Sequence, residues 1–439
     1  MELSAGAKKV IGLLEKGGFE AYAVGGSVRD SLLGKTPYDF DIASSAKPEE
    51  MKAVFKNEHC IETGIKHGTI TVLIGEEAVE TTTFRIDGSY PDNRRPEKVE
   101  FTSVLAKDLA RRDFTINALA FSEKTGVIDL FGGISDLEHG IIRCVGEPDR
   151  RFEEDALRIM RALRFASVLG FEIEEKTAAS ILKNRELLKN ISAERIFSEL
   201  SKLLCGKNAA KVLLEHREVF AVLIPELEPL FGFEQRHFRH HLDAFEHTAA
   251  VLENVPPKSV LRFAALFHDI AKPKCFSLDE NGTGHFYGHA VLGAETADEI
   301  LRRLKSDSET RQRVCELIRR HEDRFEPNPK AVKRLLNKIG PAAFDDLLLL
   351  MEADELGKRE EFRLSESVFN EFRRISGEIL AKNECFSLKN LAIGGKELIS
   401  AGFKPSPEMG KILNRLLEAV IDGEIPNEKT ALLEAAKRF

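Results

Sequence analysis

The sequence has no apolar run approaching the roughly 18 residues that a bilayer-spanning helix needs, so no membrane partner is expected. Its first residues, Met-Glu-Leu-Ser-Ala-Gly-Ala-Lys-Lys, lack the apolar core of a secretory signal. Cysteine is sparse. The six cysteines (Cys60, Cys144, Cys205, Cys275, Cys315, Cys385) are scattered and never fall in Cys-x-x-Cys spacing. That argues against a disulfide framework and against a thiolate zinc site, and it fits a reducing, cytoplasmic setting. Basic residues are also short: 64 Lys and Arg against 72 Asp and Glu leave a net charge of −8. A broadly basic nucleic-acid binder is excluded, and any RNA contact must come from local patches. There is no internal repeat and no low-complexity tract. What remains is an ordinary globular composition, 43% hydrophobic and 31% charged over 439 residues, a length that suggests about three domains.

The stretch that organises the chain runs from Val24 to Ala43. Ala21 to Val24 reads as a strand, Gly25 and Gly26 follow, and Ser27 opens a short helix pattern ending at Gly34. A strand feeding two glycines and a helix start can cradle phosphate, because backbone N–H groups approach the anion closely. Asp39 and Asp41, two apart in a second expected strand, would point to one face. Two convergent carboxylates beside a phosphate cradle suggest Mg²⁺ shared between protein and a triphosphate.

The string Gly-Gly-Ser-Val-Arg29-Asp…Asp39-Phe-Asp41-Ile-Ala resembles the head signature of class II template-independent nucleotidyltransferases. These are the bacterial tRNA CCA-adding enzymes and poly(A) polymerases. The resemblance implies an α+β fold, a small mixed-sheet nucleotidyltransferase head followed by an all-helical neck, an HD domain and a tail. The expected boundaries are 1–145, 146–230, 231–365 and 366–439. In the head, helices are expected over 4–16 and 47–56, and strands over Gly68–Ile74 and Ala78–Phe84. Glu80 reads either as a third catalytic carboxylate, as the resemblance implies, or as an ordinary strand glutamate. Arg85 to Pro96 reads as a polar loop, and in the family a loop at this place helps the site switch to ATP. Arg111-Arg112-Asp113-Phe-Thr-Ile-Asn117-Ala resembles the second family motif, implying a hold on ribose and phosphate oxygens. By itself it would pass for a basic helix surface. Asp129 to Leu137 resembles the third motif, whose acidic residues are expected to order a turn.

In the neck, Glu153-Glu154-Asp155-Ala-Leu-Arg158-Ile-Met-Arg161-Ala-Leu-Arg164 reads as one helix. Asp155 and Arg158, three apart, would be neighbours on it. A carboxylate beside a guanidinium is complementary to the amine and ring nitrogen of cytosine and adenine, and not to guanine or uracil. Read alone, the pair is an intrahelical salt bridge. The string matches the family's base-selecting motif and so implies the functional role, with Arg161 and Arg164 alongside. Ser192 to Leu200 resembles a fifth motif, read as scaffold.

Eight of the twelve histidines fall between His237 and His321. His247, the His268-Asp269 doublet and Asp354, each on an expected helix, make a hard N/O donor set. Their order resembles the HD phosphohydrolases, from about Phe245 to Gly357, and implies a transition metal such as Mn²⁺, Ni²⁺ or Co²⁺. His289 and His321 are candidates for a second metal or for phosphate. In the tail, Leu391 to Lys396 and Gly402 to Lys411 resemble the C-terminal segment of bacterial CCA-adding enzymes, and Pro407 is expected to open a helix.

The expectation is therefore an enzyme that adds CCA, from CTP and ATP, to tRNA 3′ ends. Asp39, Asp41 and Glu80 would be catalytic. Gly25, Gly26, Ser27, Arg29, Arg111, Arg112, Asp113 and Asn117 would hold the nucleotide, and Asp155, Arg158, Arg161 and Arg164 would read the base. The alternatives are an A-adding enzyme and a poly(A) polymerase, the latter less apt because the chain lacks a basic C-terminal extension. An alternative of another class is a metal-dependent phosphohydrolase with a nucleotide-sensing head.

Overall fold

The computed structural model describes residues 1–88 and 99–438. Most of the loop expected over Arg85 to Pro96 lies outside the described residues. The chain divides into two compact units, Met1–Glu228 and Pro229–Phe439.

The first unit opens with α1 (Ala5–Lys16), β1 (Ala21–Val24), α2 (Gly26–Leu32), β2 (Asp41–Ser44) and α3 (Pro48–Val54). Next come β3 (His59–Ile61), β4 (Thr69–Ile74), β5 (Glu77–Thr83), the small hairpin of β6 (Arg85–Asp87) with β7 (Val99–Phe101), and α4 (Leu105–Ala110). Then follow β8 (Leu119–Ser122), β9 (Gly126–Asp129), α5 (Gly133–His139) and β10 (Ile141–Ile142). The remainder is helical apart from β11 (Glu172–Ile173): α6 (Pro148–Glu154), α7 (Leu157–Leu169), α8 (Glu175–Asn184), α9 (Ala193–Leu204), α10 (Ala209–Glu215) and α11 (Arg217–Leu223).

Seven strands form one mixed sheet in the order β3-β4-β5-β2-β1-β8-β9. Ser4 caps α1 by accepting from the Ala7 amide, and the helix buries Ala7, Val10, Ile11 and Leu14 at helical spacing. Strand alternation does the positioning on β5. Val79, Thr81 and Thr83 are buried, so Glu80 and Thr82 fall on the opposite side. The sheet register sets Val24 opposite Asp41 and Ile42 opposite Thr81.

Three local expectations change. Arg85–Asp87, expected as the start of a loop, is strand β6, paired with β7. β2 begins at Asp41, so Asp39 stands ahead of the strand and not within it. The single helix expected from Glu153 is two. α6 ends at Glu154, and Asp155 takes an extended conformation (φ −140°, ψ 103°). Its carboxylate accepts from the Leu157 amide and from Arg195, and this capture starts α7 as a new helix.

The second unit is helical among its described residues, apart from the strand pair β12 (Ser277–Leu278) and β13 (Gly284–His285). Its helices are α12 (Ala244–Asn254), α13 (Ser259–Phe267), α14 (His289–Arg303), α15 (Ser308–Arg320), α16 (Pro329–Ile339), α17 (Pro341–Leu356), α18 (Glu366–Ala381), α19 (Gly395–Ser400), α20 (Pro407–Ile421) and α21 (Lys429–Ala436). Pro407 opens α20 as expected, and Leu416, Leu417 and Val420 pack with Leu398 and Leu432 into a core of their own. Among the described residues no helix is long and apolar enough to cross a membrane.

Candidate active site

The end of β1 turns at Gly25, whose φ of +73° is a region that L side chains rarely adopt. A Cβ there would meet the Arg112 guanidinium at 2.9 Å, so glycine is also what lets that cation close on the turn. Gly26 starts α2, and the Ser27 hydroxyl donates to the Val24 carbonyl at 3.2 Å, which fixes the strand-to-helix corner. Asp41 stands beside this corner through its register with Val24.

A cleft of about 150 Å³ is lined by Asp41, Glu80, Thr82, Asp108, Arg111 and Arg112, among others. Asp41 keeps part of its surface in water, but the protein packed around its carboxyl, then the charges of Asp39 and Glu80, push it from 3.8 up to about 6, and Arg112 opposes the rise. Asp39 is not among the cleft's lining residues, and the three carboxylates do not gather their oxygens within 4.8 Å of one another. Their mutual repulsion at Asp41 is what a divalent cation such as Mg²⁺ would relieve. On the other wall Arg111 donates twice to Asp108 (3.0 and 2.8 Å) and Arg112 once (3.2 Å). Burial alone would raise the Asp108 pKa, but the two guanidinium groups outweigh it and hold the carboxyl below the ordinary range.

Behind the cleft runs a continuous polar chain. Arg29 donates to Asn117 (2.8 Å), and Asn117 donates to Asp113 (3.0 Å). Asp113 accepts from Arg161 at 2.8 and 2.7 Å, and Arg164 pairs with Glu199 at 2.9 Å. The Phe165 ring lies under the guanidinium carbons of Arg29, Arg161 and Arg164 at 5.0, 5.4 and 4.2 Å. Five expected nucleotide-site residues thus belong to one network joining α2, α7 and α9.

Asp155 and Arg158 are not paired with each other. Asp155 holds Arg195 at 2.9 Å. The buried Arg158 donates to Glu154 (2.8 Å) and to the carbonyls of Arg151 (3.1 Å) and Arg111 (2.9 Å). The last bond ties α7 to the Arg111–Asn117 segment. Asp129 accepts from the amides of Phe131, Gly133 and Ile134, which orders the turn into α5.

The second unit brings together the histidines. His247, His268 and Asp354 form one buried group of donors, and Asp269, His289 and His321 form another, each within 4.8 Å. His268, His289 and His321 each place Nδ1 on a carbonyl three residues earlier, at 2.8, 2.8 and 2.7 Å. Their Nε2 atoms therefore face the cluster. Gly357 permits the approach of His247, because a Cβ there would meet its Nδ1 at 2.7 Å. Two buried lysines supply counter-charge: Lys272 sits 2.6 Å from Asp269, and Lys358 sits 2.7 Å from Asp354. Burial would raise both carboxylates. His268 and Lys272 hold Asp269, and Lys358 and His247 hold Asp354, well below the ordinary range. His268 Nε2 lies 3.1 Å from one Asp269 oxygen, and His289 Nε2 lies 3.2 Å from the other. Imidazole nitrogens and carboxylate oxygens converging this closely in a buried core are a donor set that fits a transition metal.

Residues 21–143 match the Poly A polymerase head domain, residues 170–231 the probable RNA and SrmB-binding site of polymerase A, and residues 288–436 the putative tRNA nucleotidyltransferase domain 2. A CCA-adding enzyme of Ligilactobacillus salivarius is 38% identical, covering 98% of this chain and 96% of that protein. The chain belongs to the CCA-adding enzyme family. A second member, from Pediococcus pentosaceus, is 38% identical over 99% of this chain and 97% of its own length. The Bacillus stearothermophilus CCA-adding enzyme, solved in complex with CTP, superposes with a TM-score of 0.75 at 30% identity. That match covers 100% of this chain and 98% of that one.

Within this CCA-adding family member, several residues at the site escaped the reading of the sequence. Asp108 was legible in principle, since it stands three and four residues before Arg111 and Arg112, the spacing of a helical ion pair. Arg195 and Glu199 belong to the Ser192–Leu200 motif expected as scaffold, but neither they nor Phe165 carry a local signal of their partners. They join the site only because α7 packs on α9. Lys272 and Lys358 follow Asp269 and Asp354 by three and four residues, and that spacing was a usable sign.

Proposed function

We infer that the chain is a template-independent tRNA nucleotidyltransferase that adds C, C and A to tRNA 3′ ends from CTP and ATP, working in the cytoplasm. The observation that carries the reading is the register setting Asp41 beside the Gly25 turn, with Glu80 and Arg112 in the same cleft. Asp39, Asp41 and Glu80 would hold Mg²⁺, which when bound activates the primer 3′-hydroxyl and screens the leaving pyrophosphate. The Gly25–Ser27 corner and Arg112 would seat the triphosphate, and Arg111, Asp113 and Asn117 the sugar. The family resemblance assigns base choice to Asp155 and Arg158, flanked by Arg161 and Arg164. In the structure Arg158 gives donors to Glu154 and to the Arg151 and Arg111 carbonyls, so this assignment rests on the resemblance.

The test is incorporation into three tRNA transcripts, ending before CCA, after C and after CC. The wild type should complete all three, and Asp39→Ala or Asp41→Ala should complete none. Extension of the third transcript alone would establish an A-adding enzyme, and runs of A a poly(A) polymerase.

A second activity is favoured by the two convergent groups of buried donors in the histidine cluster. We read residues 231–365 as an HD phosphohydrolase domain holding Mn²⁺, Ni²⁺ or Co²⁺ on His247, His268, Asp269 and Asp354, with His289 and His321 available to a second ion. It would hydrolyse a phosphoester such as the 2′,3′-cyclic phosphate of a damaged RNA end. Asp269→Ala should abolish hydrolysis and spare CCA addition. A wild type that binds none of these metals and hydrolyses no phosphoester would make the cluster structural.

A further inference from the structure

Three cations converge on one aromatic ring in the first unit. The guanidinium carbons of Arg29, Arg161 and Arg164 stand 5.0, 5.4 and 4.2 Å from the centre of the Phe165 ring. Phe165 is buried on α7, and Phe114 braces it, ring against ring at 83° with centroids 5.8 Å apart. Like charges brought this close repel one another, so each guanidinium needs a support.

The three supports differ. Arg29 places Nε and one terminal nitrogen on Asp30 and the other terminal nitrogen on Asn117, each at 2.8 Å. Arg161 places two nitrogens on Asp113, at 2.8 and 2.7 Å. A carboxylate holds a guanidinium by taking up its N–H groups. Arg164 is treated otherwise. Its Nε lies 2.9 Å from Glu199, while its two terminal nitrogens donate to no acceptor among the described residues. Its side chain is only 16% exposed. Burial, with the charges of Arg161 and Arg29, brings its pKa below the ordinary guanidinium value against the pull of Glu199. Of the three it lies nearest the ring. The face of a ring attracts a cation without using the N–H groups, which lie in the plane of the guanidinium. Such a support fixes Arg164 and leaves its donors for another partner.

We propose that Phe165 is a positioning residue of the nucleotide site, its ring holding Arg164 with the terminal N–H groups free to meet incoming CTP or ATP. The proposal rests on the nucleotidyltransferase reading and on the place of Arg164 in the nucleotide site. Phe165 acts through Arg164 and touches no nucleotide itself.

A side chain that only fills space answers to its shape, whereas a ring that holds a cation answers to the charge on its face. The test replaces Phe165, in the full-length protein, by phenylalanines carrying one, two and three ring fluorines, which thin that charge at nearly constant size. KM for CTP on the transcript ending before CCA, and for ATP on the transcript ending after CC, should rise stepwise, reaching about five-fold at three fluorines. The kcat and the KM for tRNA should hold. Phe165→Leu, apolar but without a ring, should raise both nucleotide KM values at least as far. In an Arg164→Ala background fluorination should lose most of its effect. A flat nucleotide KM across the series, a parallel rise in the KM for tRNA, or a fluorine effect undiminished without Arg164 would overturn the proposal. The nucleotidyltransferase reading is tested apart, by the wild type. Failure to extend any transcript removes that reading, and extension without fluorine dependence removes the role of Phe165 alone.

Discussion

Asp113→Asn keeps the shape of a buried side chain and removes its charge. Asp113 is 8% exposed and accepts from Asn117 (3.0 Å), from the Phe114 amide (2.8 Å) and twice from Arg161 (2.8 and 2.7 Å). Burial alone would raise its pKa. Arg161 and Asn117 outweigh burial and bring it from 3.8 down to about 2. At about 1.36 kcal/mol per pH unit, that gap is worth about 2 kcal/mol of folding free energy. Because the folded value is the lower one, this stability is complete above the ordinary carboxylate pKa and fades as pH falls toward 2. By linkage about half of it remains at pH 3.

The variant also leaves Arg161 with Glu199 at 3.9 Å as its remaining ion pair. Stranding a fully buried charge costs about 3–5 kcal/mol in comparable cases, and the one-third exposure of the Arg161 side chain brings its cost to the low end or below. The expected loss at neutral pH is therefore about 3 kcal/mol, shrinking by about 1 kcal/mol at pH 3. The chain contains no tryptophan, so urea unfolding is best followed by far-ultraviolet circular dichroism. Amide hydrogen exchange in α7 would place the loss in the first unit. An Asn variant as stable as the wild type, or a deficit unaffected by acid, would refute the argument that Arg161 pins Asp113.

Gly357→Ala should displace His247, because the new methyl group has nowhere to go but its imidazole. Metal analysis after dialysis should show roughly 10–100-fold weaker retention of Mn²⁺ or Ni²⁺, with CCA addition intact. Asp155→Ala and Arg158→Ala should slow addition and admit UTP or GTP, read by misincorporation on the transcript ending after CC. If both variants kept strict selectivity, the pair would be purely architectural.

How much of this was legible depends on distance along the chain. The Gly25 turn was readable because a strand running into glycines is a local signal. The alternation expected to bring Asp39 and Asp41 to one face fails because β2 begins only at Asp41, and strand position alone left Glu80 open between two readings. The helix from Glu153 was misjudged through a distant contact. All the residues from Glu153 to Arg164 except Asp155 suit a helix interior, and the break falls at Asp155, which turns its carboxylate to the Leu157 amide and to Arg195, forty residues away. The same reach explains why the pairing of Glu199 with Arg164, and the place of Phe165 under three guanidinium groups, had no local sign. The histidines stood out by residue type alone. Their geometry needed the packing of α12, α13, α14, α15 and α17.

Three imidazoles of that cluster are oriented by main-chain carbonyls of residues three positions earlier. In many metal proteins the orienting partner is a side chain, which a single substitution can delete. A carbonyl cannot be deleted that way. The arrangement should therefore tolerate point mutation around it and be vulnerable to changes of length. One residue inserted into α13 or α15 would turn everything beyond it by about 100°, swinging His268 or His321 away from its neighbours. Along a lineage, loss of this centre would be recorded in insertions and deletions within these helices before it showed in the histidines themselves.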